Sequence, residues 1–258
     1  MTPEDLTAAV AADAPRVRAD LERLARIPSI AFPGFPEEPV AEAAQTTADL
    51  LRDAGLADVR LIDIPGAPPA VWGESPGPEG APTVLLYAHY DVQPAGDESA
   101  WTTPPWEPTE RDGRLYGRGT ADDKSGIALH AGALRAFGGH PPVHLKVVVE
   151  GEEETGRGTF AAHLTAHPEQ FDADLIVVAD AGNWRVGEPT LTTSLRGLAV
   201  VDLEVRTLRA PVHSGLFGGA APDALIALTR MLATLHDDAG DVAVEDLVRQ
   251  EWDGRPVE

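Results

Sequence analysis

Four stretches of this 258-residue sequence carry side chains that could do chemistry together. His89 and Asp91 lie two residues apart, so along an extended chain both point to one face. Asp122 and Asp123 precede Lys124, Glu152, Glu153 and Glu154 run consecutively, and Asp180 stands alone. An imidazole with several carboxylates is a donor set for a divalent cation held by nitrogen and oxygen. A carboxylate beside a bound imidazole can also fix its ring orientation and tautomer. Each piece has a plainer reading when taken alone. His89 and Asp91 read as a surface His beside a turn Asp, Asp122 or Asp123 as a helix N-cap, and 152–154 as a solvated acidic loop. His213, followed by Ser214-Gly215, is by itself an ordinary loop histidine.

The elements that must position these groups favour the first reading. Three short β-rich runs stand out: Thr83–Ala88, Val143–Val149 and Leu175–Ala179. The first runs into His89-Tyr90-Asp91, the second into Glu150 and the acidic triplet, and the third into Asp180. Helical patterns separate the runs, at Ser125–Phe137 and at 159–167. This alternation predicts an α/β fold with a mainly parallel sheet flanked by helices. In open α/β sheets ligands gather outside the carboxyl ends of the strands, so residues remote in sequence are expected to converge at one edge. Further helices are expected over 5–27, with Pro15 as a break or new start, and over Val40–Ala54, closed by Gly55. Residues 65–82, rich in Pro and Gly, read as loop. Beyond about residue 190 the pattern changes. Thr190–Thr207 alternates like a longer exposed strand, and Pro222–His236 reads as an amphipathic helix. The expected domains are therefore 1–190 and 191–258, the second being the first part of an α+β domain.

Composition narrows the function classes. Acids number 42 and bases 20, giving a net charge of −22. A basic nucleic-acid-binding face is not expected, nor is attraction to an anionic membrane surface. With no cysteine, disulfides and thiolate metal sites are excluded. The N-terminal thirty residues do not read as a signal peptide, and no apolar run approaches the ~18 residues of a membrane span. The expectation is a soluble cytoplasmic protein.

Taken together and in order, four segments resemble the zinc-dependent exopeptidase family of carnosine dipeptidases, acetylornithine deacetylase, succinyl-diaminopimelate desuccinylase and glutamate carboxypeptidase. They are Leu86–Pro94 (LYAHYDVQP), Tyr116–Gly126 (YGRGTADDKSG), Glu150–Gly156 (EGEEETG) and His213–Gly219 (HSGLFGG). The resemblance implies a catalytic domain with an inserted lid or dimerisation domain, and two Zn2+ ions, with Mn2+ or Co2+ as substitutes. It implies that His89 binds one zinc, oriented by Asp91, and that Asp122 bridges both. Asp180 joins His89 on the first ion and Glu154 binds the second. Glu153 is the general base, and Glu152 takes no part. It implies that His213 stabilises the oxyanion, from the partner subunit of a homodimer in the full-length form. Asp at position 180, Trp106 after Pro104-Pro105, and Thr192–Gly197 look like the dipeptidase branch, whose substrates are small peptides.

The family's site draws one more His from near the end of a chain of about 400–480 residues, by what the resemblance implies. None of His130, His140, His144, His163, His167 and His236 has that context, so the chain looks C-terminally truncated. The alternatives are an N-acyl amino acid deacylase or carboxypeptidase of the same family, and, in another class, an inactive truncated binding or dimerisation module.

Overall fold

The computed structural model describes residues 1–248. The chain divides into two units, one of Met1–Thr193 and one beginning at Ser194. The first opens with helix α1 (Pro3–Ala25), capped by a reciprocal pair in which the Thr2 hydroxyl accepts the Asp5 N–H and the Asp5 carboxylate accepts the Thr2 N–H. Pro15 does not break this helix. Its missing donor and ring clash cost about 3 kcal/mol, but Arg135 holds Asp13 at 2.7 Å and Asp20 at 3.0 Å, one on each side of the proline. These ion pairs clamp both halves of α1 onto helix α3 (Lys124–Ala136). Helix α2 (Glu38–Asp53) lies between them in sequence and buries Val40, Ala43, Ala44, Leu50 and Leu51.

Five strands form the main sheet: β1 (Asp58–Ile62), β2 (Ala70–Ser75), β3 (Thr83–His89), β6 (His144–Glu150) and β7 (Leu175–Val178), in the order β1-β2-β6-β3-β7. Strands β4 (Thr109–Arg111) and β5 (Arg114–Tyr116) make a separate hairpin. The three strands expected from sequence are the parallel ones, with β3 between β6 and β7. The antiparallel β1–β2 pair extends the sheet beyond β6. Strand β2 corrects the reading of 65–82 as loop. Prolines at 68, 69 and 76 disguise a six-residue strand whose Val71 and Trp72 are buried. At Gly73 a Cβ would fall 2.1 Å from Cδ2 of Leu56, so a larger residue would have to displace that buried side chain.

The register assigns the two faces. Val71, Leu86, Ala88, Val147 and Val149 pack under the first three helices against Leu24, Leu51 and Ile127. Trp72, Leu85 and Val148 pack on the other face, against Phe160 of α4 (Thr159–Ala166) and Phe171 of α5 (Pro168–Phe171). His89 pairs with Glu150 in the last rung of β3 and β6. Counting by twos from Leu85 and Val148 places both side chains on the α4–α5 face.

Residues 190–207 run without a ladder, contrary to the expected strand: extended chain is a strand only beside a partner. Two helices follow, α6 (Ser214–Phe217) and α7 (Ala224–Ala233). The second is capped by Asp223, which accepts the Ile226 N–H at 3.0 Å. Residues 249–258 of the expected second domain lie outside the described residues. Among the described residues no helix is long and apolar enough to cross a membrane.

Candidate metal centre

The carboxyl ends of β3, β6 and β7 bring the acidic residues around one fully buried imidazole. His89 Nδ1 sits 3.1 Å from the backbone carbonyl of Asp91 and 3.3 Å from its Oδ1. Both are acceptors, so a proton belongs on Nδ1 and Nε2 is the atom offered to the site. Nε2 lies 3.0 Å from Asp122 Oδ1 and 3.9 Å from Asp180 Oδ2. Asp180 gets there by register: Val178 pairs with Tyr87, and two residues further along both strands stand Asp180 and His89. Asp123, next to Asp122, turns inward and accepts the His89 N–H at 3.1 Å.

Asp91 does more than hold the ring. Fully buried, it accepts the backbone N–H of Glu153 on Oδ1 and of Glu154 on Oδ2, both at 3.2 Å. These are orphan donors at the start of a one-turn 3-10 helix, Glu153–Thr155. One carboxylate therefore fixes the imidazole and the acidic turn relative to each other. Gly151 permits the approach, since a Cβ there would lie 2.2 Å from the Tyr90 hydroxyl. Gln93, which the sequence reading passed over inside its own motif, donates to Glu154 Oε2 at 2.8 Å and to the Glu154 carbonyl at 3.2 Å. Glu152, expected to take no part, is buried and accepts the Phe160 N–H at 2.9 Å, anchoring the start of α4.

The gathered charge shifts the titrations. Burial opposes the charged form of His89, but Asp91, followed by Asp123 and Asp180, outweighs it and pushes the ring up to about 10. Burial raises Asp123 to about 7 against the pull of His89. Glu150 also rises to about 7, through burial and the nearby Asp91 and Glu153, although the Tyr87 hydroxyl donates to it at 2.6 Å. Glu153 is raised by burial, then by Asp180, Glu154 and Asp91, with His89 pulling the other way. Carboxylates crowded this way favour a cation among them. Two sets of donor atoms converge within 4.8 Å: His89, Asp122 and Glu154, and His89, Glu153 and Asp180. One imidazole nitrogen with carboxylate oxygens suits a divalent cation. His213 lies in the second unit at the N-cap of α6, where its Nδ1 accepts the Gly215 N–H at 3.1 Å.

An imidazole and carboxylates gathered at the carboxyl edge of the parallel strands lie where open α/β sheets bind ligands. Residues 85–256 match peptidase family M20/M25/M40, and the chain belongs to this family. It is 43% identical over 221 residues to the cysteinylglycine-S-conjugate dipeptidase of Corynebacterium striatum, covering 84% of this chain and 48% of that protein. Identity to the Beta-Ala-His dipeptidase of Mus musculus is 33% over 218 residues, covering 79% and 44%. The fold superposes on the dipeptidase Dug1p of Saccharomyces cerevisiae with a TM-score of 0.72 at 24% identity, covering 94% of this chain and 54% of that one. For human carnosine dipeptidase 1 the TM-score is 0.69 at 25% identity, with 94% and 54% covered. The chain spans about half the length of the relatives it matches.

Proposed function

We propose that this chain carries the metal centre of a dipeptidase that hydrolyses unblocked dipeptides with two Zn2+ ions, for which Mn2+ or Co2+ can substitute. His89, Asp122 and Asp180 hold one ion, and Asp122 and Glu154 hold the other. Bound there, the ions would supply a water of lowered pKa and a Lewis acid for the scissile carbonyl. The chain's own residues do the rest. Asp91 keeps the proton on His89 Nδ1, so that Nε2 stays available. Glu153 takes a proton from the attacking water and delivers it to the leaving amine. Its carboxyl, raised by burial and by Asp180, suits that exchange. Gln93 holds one oxygen of Glu154 and leaves the other free. His213 donates to the oxyanion from the partner subunit of a homodimer, and the full-length enzyme works in the cytoplasm.

The observation that carries this reading is the three-way grip of Asp91 on His89, Glu153 and Glu154. It makes the ring and the acidic turn one preorganised unit, and the dipeptidase relatives supply the reaction class. Among the described residues Asp122 and Glu154 would hold the second ion, fewer than the three protein ligands usual for a catalytic zinc, so that ion is expected to bind the more weakly. The test is Glu153→Gln, with metal content and dipeptide hydrolysis read together. Metal content is expected to stay, while hydrolysis falls by about a hundredfold or more. Retained turnover removes Glu153 as the base. Hydrolysis of N-acyl amino acids in preference to unblocked dipeptides favours the deacylase reading instead; a succinyl-diaminopimelate desuccinylase of Ruegeria is 32% identical over 216 residues.

A further inference from the structure

A cavity of about 520 Å³ opens on the β1–β2 side of the sheet, away from β3 and β7, whose ends carry His89 and Asp180. Its walls are two turns. One, residues 30–37, precedes α2. The other, residues 63–69, joins β1 to β2 and closes where Ile62 pairs with Ala70. Phe32, Phe35 and Ile64 line the cavity together with five prolines. Three charged side chains also line it: Glu37, Asp63 and Arg157. All three residues are exposed, and none has an ion pair or a side-chain hydrogen bond among the described residues. Other exposed arginines close on acids, as Arg52 does on Asp49 and Arg60 on Asp58. Arg157 does not, although two acids border the same space. Gly156 and Gly158 on either side of it hold left-handed backbone, at φ +62° and +73°. The chain turns at both, and this carries Arg157 out of the acidic turn to the cavity wall.

Opposite charges held apart around one apolar space are complemented by a ligand that carries both. A carboxylate fits the planar fork of a guanidinium through two parallel hydrogen bonds. An ammonium brings three donors to carboxylates. The apolar lining asks for a hydrocarbon or aromatic body between the two charges. A metal ion does not meet the description, because none of the three charged residues belongs to the donor sets that converge. A simple anion is repelled by the acids, and a simple cation by the arginine. A free amino acid with an apolar side chain satisfies all three features, and the volume lies in the range of small-ligand sites.

We propose that this cavity binds a free apolar α-amino acid as its zwitterion. The carboxylate sits on Arg157, the ammonium group lies toward Glu37 and Asp63, and the side chain packs among Phe32, Phe35 and Ile64. The site shares no residue with the metal centre and does not rest on the dipeptidase reading.

The test is calorimetric titration of the whole chain with three probes that share one side chain. They are L-phenylalanine, phenylalaninamide, which lacks the carboxylate, and N-acetylphenylalanine, which lacks the ammonium group. At about pH 6.5 both free amines are protonated. Phenylalanine is expected to bind about three- to tenfold more tightly than either analogue, as for charged contacts open to solvent. Arg157→Gln is expected to abolish the advantage over the amide and keep that over the N-acetyl compound. Glu37→Gln combined with Asp63→Asn is expected to do the reverse. The three side chains are exposed and unpaired, so the fold is not at stake, and circular dichroism checks it. Each titration is repeated in chelator, where the same pattern is expected. Equal affinity for the three probes, or no binding of phenylalanine up to about 10 mM, overturns the site. So does an advantage over the amide that survives Arg157→Gln. Binding that disappears in chelator belongs to the metal centre and overturns the site as well.

Discussion

Asp91→Asn changes one atom of a side chain on which the site's geometry depends. Three donors converge on the two oxygens: the Glu153 N–H and His89 Nδ1 on Oδ1, and the Glu154 N–H on Oδ2. The amide can be placed in two ways. With nitrogen in place of Oδ1 it faces two donors at once; with nitrogen in place of Oδ2 it faces one. The second is the less costly, and it still turns an N–H toward the Glu154 N–H in a fully buried spot. Losing a charge-assisted bond and leaving a buried donor unpaired costs about 2–4 kcal/mol. At about 2–4 °C per kcal/mol for a chain of this size, Tm falls by roughly 5–15 °C. The imidazole also loses its anionic partner, which typically costs 10–100-fold in metal affinity. Calorimetric melting in chelator reads the first effect, and a competition titration with a metal indicator reads the second. If Tm moves by less than about 2 °C and affinity by less than about twofold, Asp91 does not tie the ring to the turn and the argument fails.

Two further outcomes follow from the same geometry. In chelator, stability is expected to fall as pH rises from about 4 to about 7, because Asp123 and Glu150, raised from 3.8 and 4.5 to about 7, bind more protons folded than unfolded across that window. Melting scans across that range check the sign, and a Tm that climbs with pH in chelator contradicts it. Gly151→Ala drives a Cβ into the Tyr90 ring, 2.2 Å from the hydroxyl and from Cζ. An overpacked site typically loses 1–3 kcal/mol, and here the strain falls on the link between β6 and the acidic turn, so reduced metal affinity should accompany the lower Tm. An alanine variant with wild-type Tm and affinity would show that Tyr90 can move aside.

The sequence was legible where one signal dominated. Thr83–Ala88, Val143–Val149 and Leu175–Ala179 are short, rich in β-branched residues and set apart by helices, and they became the parallel core. The strand-end rule places His89, the acidic triplet and Asp180 at one edge; in the structure Glu153 and Asp180 form one donor set with His89, and Glu154 forms another with His89 and Asp122. Signals failed where neighbours decided the outcome. Ala70–Ser75 lies between prolines and is a strand because β1 and β6 flank it. Thr190–Thr207 has the alternation of a strand, but no partner among the described residues. Three consecutive glutamates look alike in a sequence. Their roles separate only when the turn forms, with Glu152 inward on the Phe160 N–H and Glu154 held by Gln93. Nothing in the spacing of Asp91 and the triplet, some sixty residues apart, announces two hydrogen bonds between them.

The arrangement of the basic groups explains why the site asks for a cation from outside. Asp91, Asp122, Asp123, Glu153 and Asp180 surround one imidazole, and in the absence of metal the protonated ring at about 10 is the nearest compensation. A lysine could have served, but the chain has two and both are committed elsewhere. Lys146 Nζ donates to the Asp172 carbonyl at 2.8 Å. Lys124 follows Asp123 directly, yet its fully buried ammonium reaches away, to the Leu24 carbonyl at 3.0 Å and the Ile27 carbonyl at 2.6 Å. Burial pushes it down to about 7 despite Asp91 and Glu42. It pins the start of α3, which carries Asp122 and Asp123 at its head, to the end of α1. The fold thus uses its nearest ammonium to place the acids rather than to neutralise them. A divalent cation that displaces the proton from His89 Nε2 would then add to stability as well as to chemistry, since it binds a cluster that the folded chain assembles and leaves undercompensated.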